Sequence, residues 1–317
     1  MGIIAAIDLG GTAIKGALFD GTGPLTKKNH PTEAKKGYGH VLQNIDQLIQ
    51  RMADNKGIKV DEIRSVGVGV PAFMAEQGRR VVLAPNLGWS DVDFASDLAE
   101  QMQKPVFCNN DANLAALGEH WQGNGKDIEN LLMVTIGTGI GSGLILNGEL
   151  YQGKSGMAVE VGHMVIMAEG SHRCSCGRQG CVEALTAAPA IVREAKKLMD
   201  VPTDCLPDVN ITEAKQVYQA AASGDKRALQ VVEKAAYFLG VALANILNFY
   251  ELDVIIIGGG VAQAGDILLN PLRRTVARET VFFQRRPTEI LPGMLGNDAG
   301  VFGAARWAAL GEAKKRG

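Results

Sequence analysis

The order of apolar runs along the chain constrains its fold more than any other feature. Near the start, three short runs with strand composition precede an amphipathic stretch with helical spacing, after which strands and helices alternate. The predicted strands of this first cycle are residues 3–8, 13–19, 25–30, 65–70 and 106–109, and its helices are residues 41–53, 93–103 and 111–121.

A second cycle of the same kind follows. Its predicted strands are residues 131–136, 142–146, 159–167, 254–257 and 289–291, and its helices are residues 189–199, 212–222, 226–249, 267–278 and 299–310. Two such cycles predict a duplicated α/β fold with a cleft between its halves. One large α/β domain is the alternative.

The composition excludes several classes of protein. With 317 residues, a formal net charge of −2 and 46% hydrophobic residues, the chain can bury a sizeable core and is not intrinsically disordered. It carries no block rich in Lys and Arg, which argues against a nucleic-acid partner. The first apolar run is interrupted at Asp8, too early for a signal peptide or a membrane span. We therefore expect a soluble, cytoplasmic protein that acts without a membrane.

Glycine is frequent, at 39 residues, and clusters where predicted strands end, at residues 10–11, 137–143 and 258–260. Because glycine lets backbone N–H groups approach a ligand closely, such turns can cradle phosphate. Three of them favour a nucleotide site that draws on both halves. A match to the P-loop pattern at residues 148–155 is rejected, because Asn147-Gly148 is a hairpin signal and no helix is predicted directly afterwards.

Three of the five cysteines form the pattern Cys174-x-Cys176-x4-Cys181. In a reducing compartment this crowding indicates a metal site rather than disulfides, with free thiols as the alternative. A closed zinc site needs a fourth ligand, for which His163 and His172 are both candidates. Four protein ligands leave no open coordination position, so the zinc would be structural.

Taken together, these motifs resemble the ROK family of sugar kinases, within the hexokinase and actin superfamily. The resemblance covers nearly all of the chain. It rests on Asp8-Leu-Gly-Gly-Thr12 with Lys15, Pro85-Asn86-Leu-Gly-Trp89, Asn110-Asp111-Ala-Asn113, Gly137-Thr-Gly-Ile-Gly141, Glu160-Val-Gly-His163, Cys174-Ser-Cys-Gly-Arg-Gln-Gly-Cys181-Val-Glu183 and Gly258-Gly-Gly260. One departure is Val159, where the family commonly has Gly or Ala before the glutamate.

The resemblance implies a duplicated α/β fold of the actin and hexokinase type, which is ribonuclease H-like and has two lobes and a central cleft. A small α/β domain is expected to comprise residues 1–112 and the C-terminal helix 299–317. The larger α/β domain, residues 113–298, is expected to carry the zinc loop.

The resemblance also implies a sugar site. Asp111, which by residue type alone would be an ordinary helix N-cap, becomes the base for the sugar's primary hydroxyl. His163 is favoured over His172 as the zinc ligand beside Cys174, Cys176 and Cys181, because its second ring nitrogen can face a sugar hydroxyl. The implied sugar-binding residues are Asn86, Asn110, Asp111, Glu160, His163 and Glu183.

On the phosphate side, the family implies that Asp8 lies near Mg²⁺ and that the glycine turns hold the nucleotide. The implied nucleotide-binding residues are Asp8, Gly10, Gly11, Thr12, Lys15, Gly137, Thr138, Gly139, Gly259 and Gly260.

The implied activity is ATP-dependent phosphorylation of a hexose at its 6-hydroxyl, with Mg²⁺ and a structural Zn²⁺, and glucose is the first candidate substrate. N-acetylglucosamine or N-acetylmannosamine, and then fructose, are the alternatives, and polyphosphate is an alternative donor. A sugar-sensing regulator that lacks a DNA-binding domain is the alternative of a different class. Family members usually form dimers, so a homodimer is expected.

Overall fold

The computed structural model describes residues 2–169, 172–199 and 211–316. The strands are β1 (Ile3–Leu9), β2 (Ala13–Phe19), β3 (Pro24–Pro31), β4 (Ile63–Val70), β5 (Phe73–Ala75), β6 (Arg80–Ala84), β7 (Trp89–Val92), β8 (Val106–Asn110), β9 (Leu131–Ile136), β10 (Ile140–Leu146), β11 (Glu149–Tyr151), β12 (Val254–Gly258) and β13 (Glu289–Pro292). The helices are α1 (Tyr38–Lys56), α2 (Phe94–Met102), α3 (Asp111–Gln122), α4 (Val182–Thr186), α5 (Ala188–Met199), α6 (Ala214–Ala222), α7 (Lys226–Leu247), α8 (Asp266–Glu279) and α9 (Ala299–Arg316).

Two five-stranded sheets repeat one plan. In the first, with the order β3-β2-β1-β4-β8, strands β3, β2 and β1 pair antiparallel, whereas β4 and β8 continue the sheet in parallel. In the second, with the order β11-β10-β9-β12-β13, a β10–β11 hairpin forms one edge and β9, β12 and β13 run parallel. The repeat of a hairpin edge followed by parallel strands is the duplication that the two sequence cycles predict.

By its internal contacts the chain divides into two compact units. The first unit comprises Met1–Asp127, Gly143–Val159 and Asn297–Gly317, and the second comprises Ile128–Ser142 and Glu160–Gly296.

The first unit is built on β-strands whose apolar residues are fully buried, such as Ile7, Val66 and Val68. Helix α1 packs on β2 and β3, and α9 packs on β1, β4 and α3. A Cβ at Gly67 in β4 would collide with the Ala304 carbonyl oxygen of α9. The helix therefore lies directly on the strand backbone, which is possible only where the strand has no side chain.

Helix α7 is the core of the second unit, where it contacts α4, α5, α6 and α8. Among the described residues it is also the one helix with the length and apolar character of a membrane span. Its apolar residues are buried in the protein, however, including Val231, Val232, Leu239 and Leu243. This is the pattern of a core helix.

The hairpin predicted at Asn147-Gly148 is confirmed, because both residues have the positive φ, 52° and 76°, of a type I′ turn between β10 and β11. The predicted strand at residues 159–167 is wrong. This segment instead holds a 3-10 turn at Val161–His163 and one isolated bridge, from Val165 to Cys181. It departs from extended backbone at Val159, which has a φ of +69°.

A three-stranded antiparallel sheet, β5-β6-β7, was not predicted. Its strands are only three to five residues long, and the 3-10 turn Glu76–Gly78 connects the first two. Segments this short carry too few alternations of apolar and polar residues for a period to be recognised. The last helix, predicted at residues 299–310, extends to Arg316.

On the surface of the second unit, one carboxylate gathers basic groups from two helices. Glu194 of α5 accepts hydrogen bonds from Lys197 at 2.9 Å and from Lys234 of α7 at 3.0 Å. Burial alone would raise the pKa of Glu194, but these two lysines outweigh it and bring the pKa to about 2. The ionised carboxylate therefore stabilises the packing of α5 against α7.

Glu194→Gln is expected to lower the free energy of unfolding by about 1–2 kcal/mol at pH 7. Because the pKa of Glu194 is lower in the folded state, its contribution is complete above about pH 4.5 and is lost as the pH falls towards 2. Urea unfolding from pH 7 to pH 3 should show the two proteins converging. Glu233→Gln, a change at an exposed carboxylate 3.7 Å from Arg274, is the matched control and should cost little at any pH. A pH-independent difference for Glu194→Gln would contradict the assignment.

Candidate active site

The carboxyl end of β8 places an asparagine and an aspartate side by side. The side chain of Asn110 caps α3 by accepting hydrogen bonds from the N–H groups of Ala112 at 2.9 Å and Asn113 at 3.1 Å. Asp111 is therefore the first residue of the helix and not its cap. The Asn110 amide also donates to the Ala72 carbonyl at 3.1 Å, which leaves one N–H of that amide for a ligand. A carboxylate at a helix N-terminus is stabilised in its ionised form.

A buried amide network that sequence analysis missed supports this corner. Asn109 is 1% exposed, accepts from the Asn110 N–H at 2.8 Å and from the Asn113 side chain at 3.1 Å, and donates to Gln152 at 2.8 Å. Asn113 is also buried, and its side-chain oxygen has no partner among the described residues. The sequence carries one signal of this network, the pair Asn109-Asn110 at the end of a strand, because buried side-chain amides must find hydrogen-bond partners within the protein.

Asn86 lines a cavity of about 540 Å³ in the first unit, together with Tyr38, Leu87, Trp89 and Lys35. The rings of Tyr38 and Trp89 meet edge to face with their centroids 5.0 Å apart. The indole N–H of Trp89 is buried without an acceptor among the described residues. The cavity thus offers an amide, aromatic surface and an ammonium group, which suit a polyhydroxylated ligand.

The turn between β1 and β2 exposes Gly11 and Thr12. It is closed by a hydrogen bond of 2.9 Å from the Gly10 N–H to the Ala13 carbonyl. Thr32 also holds this turn, because its hydroxyl donates to the Gly10 carbonyl at 2.6 Å. Thr32 is fully buried, and sequence analysis missed it. The turn is thereby held in one shape while its tip faces solvent.

Asp8 lies near the end of β1, beside this turn, and its carboxylate faces the first turn of α9. Its carboxylate pairs with Lys15 at 3.0 Å, and the same ammonium donates to the Asn297 carbonyl at 3.1 Å. A Cβ on Gly300 would lie 2.9 Å from the Asp8 carboxyl carbon. The first turn of α9 therefore approaches Asp8 closely enough to exclude any side chain at Gly300.

In the second unit, Glu183 holds the glycine turn between β9 and β10. One oxygen of its carboxylate accepts from the Ile140 N–H at 3.0 Å, and the other accepts from the Ser175 hydroxyl at 2.9 Å. A Cβ on Gly139 would lie 2.6 Å from the first of these oxygens. Glu183 thus joins the turn that contains Gly137, Thr138 and Gly139 to the cysteine-rich loop.

The third glycine turn follows β12. Gly259 has a φ of +83°, and a Cβ there would collide with the Ile136 carbonyl at the end of β9. Gly260, which begins the next 3-10 turn, has open space at its Cβ position. Both glycine turns of the second unit therefore lie at the ends of neighbouring parallel strands, β9 and β12.

Glu160 directly precedes the 3-10 turn Val161–His163, and the His163 N–H donates to the Glu160 carbonyl at 3.0 Å. The Glu160 carboxylate makes no hydrogen bond to any described residue. Burial raises its pKa, which the His163 charge opposes and the Glu183 charge reinforces. Such a carboxylate gains free energy when a hydroxyl donor binds it.

His163, Cys174, Cys176 and Cys181 form one cluster, with their four ligand atoms within 4.8 Å of one another. The Cys176 and Cys181 sulfurs are 3.7 Å apart, and the Cys174 sulfur is 3.6 Å from Nδ1 of His163. In a tetrahedral zinc site, with Zn–S about 2.3 Å and Zn–N about 2.0–2.1 Å, neighbouring ligand atoms are about 3.5–3.8 Å apart. The donor set and its spacing therefore fit zinc.

The thiols of this cluster differ in acidity. Slight burial raises the pKa of Cys176, but hydrogen bonds with Arg178 outweigh it and lower the pKa to about 6, whereas burial raises the pKa of Cys181 to about 12. A thiolate at Cys176 is the form that binds metal. His172, the other candidate ligand, is bonded elsewhere, to Glu194 at 3.2 Å and Lys197 at 2.9 Å.

A sequence profile of the ROK family matches residues 4–310. The chain belongs to the ROK family. A ROK family glucokinase from Streptomyces griseus, solved in complex with glucose and AMPPNP, superposes with a TM-score of 0.83 at 28% identity, covering 98% of this chain and all of that one. The duplicated, hexokinase-like α/β fold that the resemblance predicts is therefore confirmed.

Among curated ROK relatives, the glucokinase of Halalkalibacterium halodurans is 37% identical over 94% of this chain and 92% of its own. The xylose repressor of Caldicellulosiruptor bescii is 29% identical over 96% of this chain and 77% of its own length. Proteins named as enzymes and as regulators are thus both similar to this chain over nearly all of its length.

Val159, the departure from the ROK pattern, has a φ of +69°. This left-handed conformation is strained for a β-branched residue. It lies directly before Glu160, so the strain is stored in the backbone that carries a candidate sugar ligand.

Val159→Gly is expected to raise the free energy of unfolding by up to about 2.5 kcal/mol, because relief of about 1–3 kcal/mol of strain outweighs the cost of about 0.5–1 kcal/mol for a glycine. Thermal or urea unfolding measures the change. Val165→Gly, in the same segment but without positive φ, is the control and should destabilise the protein. Equal destabilisation by both substitutions would show that Val159 is not strained.

Proposed function

We propose that this protein is an ATP-dependent glucokinase that transfers the γ-phosphoryl group of ATP to the 6-hydroxyl of glucose. The observation that carries the proposal is the corner at the end of β8, where Asn110 caps α3 and Asp111 stands in the first turn of that helix, with one carboxylate oxygen accepting from the Ala112 N–H at 2.9 Å. The similarity to a glucokinase over 94% of the chain supports glucose as the substrate.

Asp111 is the proposed catalytic base. Phosphoryl transfer requires alignment of the attacking hydroxyl and a group that accepts its proton, with little covalent help from the protein. The Asp111 carboxylate stands at the N-terminus of α3, where the helix dipole favours a negative charge, and the Asn109 and Asn110 hydrogen bonds fix the backbone from which it projects. A base held in this way loses little entropy when the hydroxyl arrives.

Sugar recognition is assigned to six polar residues, as the ROK resemblance implies: Asn86, Asn110, Asp111, Glu160, His163 and Glu183. Asn86 and Asn110 offer amides, and Glu160, His163 and Glu183 offer acceptors and a ring nitrogen. A site with several fixed hydrogen-bonding groups discriminates strongly against a sugar that lacks one of the matching hydroxyls. Glu160 contributes most to this selectivity, because its carboxylate makes no hydrogen bond to any described residue.

The glycine turns are assigned to the nucleotide. The turn of Gly10, Gly11 and Thr12, with Gly11 and Thr12 at its exposed tip, and the turn of Gly137, Thr138 and Gly139 are assigned to the phosphates, towards which such turns direct backbone N–H groups. Gly259 and Gly260 are placed near the adenosine. Asp8 and Lys15 are the charged pair beside the first turn, with Asp8 suited to the Mg²⁺ that accompanies ATP. Magnesium bound with ATP neutralises phosphate charge during transfer.

The cysteine cluster is assigned to one structural Zn²⁺ held by His163, Cys174, Cys176 and Cys181. With all four positions filled by protein, the ion orients residues and activates no water. Its effect reaches the sugar ligands because Glu183 is bonded to Ser175 inside the loop. We also propose a cytoplasmic location and a homodimeric assembly, as the ROK resemblance implies.

The test of this function is kcat/KM for a panel of sugars, measured by coupled ADP release with ATP and, separately, with polyphosphate as donor. Glucose should exceed N-acetylglucosamine, N-acetylmannosamine and fructose by at least tenfold. Sugar binding without ADP release for any hexose would instead support the regulator.

Asp111→Asn is expected to lower kcat by about 10²- to 10⁴-fold, because the amide cannot accept the hydroxyl proton. The KM for glucose should change much less, since the amide keeps the shape of the side chain. Asp225→Asn, the same change at the N-cap of α7, is the control and should leave kcat unaltered. A kcat for Asp111→Asn within tenfold of the unsubstituted enzyme would remove Asp111 as the base.

Cys176→Ser is expected to reduce bound zinc from one ion per chain to a trace, as measured by elemental analysis of the purified protein. The KM for glucose should rise with it, because Glu183 and His163 lose a fixed frame. Cys108→Ser, at a buried thiol of the first unit, controls for the loss of a sulfur and should keep the metal. Full metal content in Cys176→Ser would contradict the ligand set.

A further inference from the structure

The second unit contains a separate pocket that the proposed reaction does not use. It has a volume of about 200 Å³, room for six or seven water molecules. It lies between α5, α7 and the segment that precedes the cysteine loop. Its apolar wall includes Leu185, Ile191, Val231 and Phe238.

Basic side chains from two helices meet at one edge of this pocket. Lys197 and Lys234 both bond Glu194, and the Nε of Arg193 lies 3.8 Å from the same carboxylate. His172 completes the edge, 2.9 Å from the Lys197 ammonium. We refer to Arg193, Lys197 and Lys234 as the cationic rim.

The rim carries more positive charge than its own carboxylate neutralises. Three permanent cations face one carboxylate, and the nearest other acid on α7, Glu233, is directed to Arg274 at 3.7 Å. The side chains of Lys197 and Lys234 are 53% and 57% exposed, so both ammonium groups can turn towards a ligand. An anion that enters the pocket therefore finds two uncompensated charges.

Arg193 is the least satisfied of these groups. Its guanidinium donates to the Ala184 carbonyl at 2.6 Å, whereas its Nε is buried without an acceptor among the described residues. Burial disfavours the Arg193 charge and lowers the pKa of the guanidinium, although the Glu194 carboxylate opposes this shift. An additional negative charge nearby would compensate it.

We propose that this pocket is a binding site for a small organic anion, with the charged group on the cationic rim and the apolar body against Leu185, Ile191, Val231 and Phe238. Charge-assisted hydrogen bonds from several cations give such a site its affinity. The apolar wall distinguishes it from a surface patch that attracts any inorganic ion.

The pocket is connected to the proposed sugar site within the same unit. Arg193 bonds the carbonyl of Ala184, the residue after Glu183 in α4. His172 precedes Cys174 by two residues, and its carbonyl accepts from the Gly180 N–H at 3.5 Å. We expect an anion bound at the cationic rim to alter the KM for glucose. This effect on KM rests on the proposed function, whereas binding of the anion to the pocket does not.

The test uses three probes that separate charge from apolar surface: phenyl phosphate, which has both, inorganic phosphate, which has charge alone, and phenol, which has the ring alone. Isothermal titration at constant ionic strength, with glucose and a non-hydrolysable ATP analogue present at saturation, should give one phenyl phosphate per chain. Its affinity should exceed that of inorganic phosphate at least tenfold, and phenol should bind more weakly still.

The double substitution Lys197→Met with Lys234→Met should weaken phenyl phosphate binding at least tenfold. Lys196→Met with Lys226→Met is the matched control, because it removes two exposed lysines from the same two helices and gives the same net charge. Equal loss in both double variants would show general charge attraction and overturn the site. So would unchanged binding after removal of the rim lysines, or phenol binding as well as phenyl phosphate.

The kinetic arm distinguishes failure of the pocket from failure of the proposed function. Phenyl phosphate should shift the KM for glucose at least threefold in the unsubstituted enzyme and leave the rim double variant unchanged. Binding of phenyl phosphate without a shift in the KM for glucose would overturn the inferred connection from the pocket through Arg193 and α4 to the sugar site. An absence of kinase activity would overturn the proposed function, while the calorimetric result still decides the site.

Discussion

Close packing against glycine, at positions where no side chain can stand, determines how the turns of the candidate site are held. Gly67 lets α9 lie on β4, and Gly300 brings the first turn of that helix against Asp8. In the second unit, Gly139 admits the Glu183 carboxylate and Gly259 lets the turn after β12 meet the end of β9. Glycine in these places is a condition of assembly rather than a source of flexibility. The glycine turns are consequently held in one shape before any ligand arrives.

Much of the fold could be predicted from the sequence, because the parallel strands are continuous apolar runs and the long helices have a clear period. The three-stranded sheet from Phe73 to Val92 could not, since each strand is too short to show alternation. A strand was predicted at residues 159–167 because Val159, Val161 and Val165 favour extended backbone. A positive φ at Val159 is imposed by tertiary structure, and side-chain preference gives no sign of it.

In the candidate site, too, some residues could be predicted from the sequence and others could not. The three cysteines stand out in the sequence by their spacing, whereas Asp111 is indicated only by the resemblance to the ROK family. Residues that hold the site in place do not stand out, because a buried Thr32 looks like any other polar residue until its partners are known. The cap at the start of α3 illustrates the limit. Two neighbouring polar residues can each fill that role, and only the hydrogen bonds of Asn110 decide which one does.

The discontinuity of the first unit has a consequence for synthesis on the ribosome. Its sheet begins with the first residues of the chain, yet α9, which packs on β1 and β4 and borders Asp8, is translated after the whole of the second unit. The strands of the first unit must therefore wait with one apolar face uncovered while residues 128–296 emerge. This interval exposes Ile4 and Ala6, which share the Asp8 face of β1, to other nascent chains, so chaperone binding during translation should be concentrated on the amino-terminal sheet.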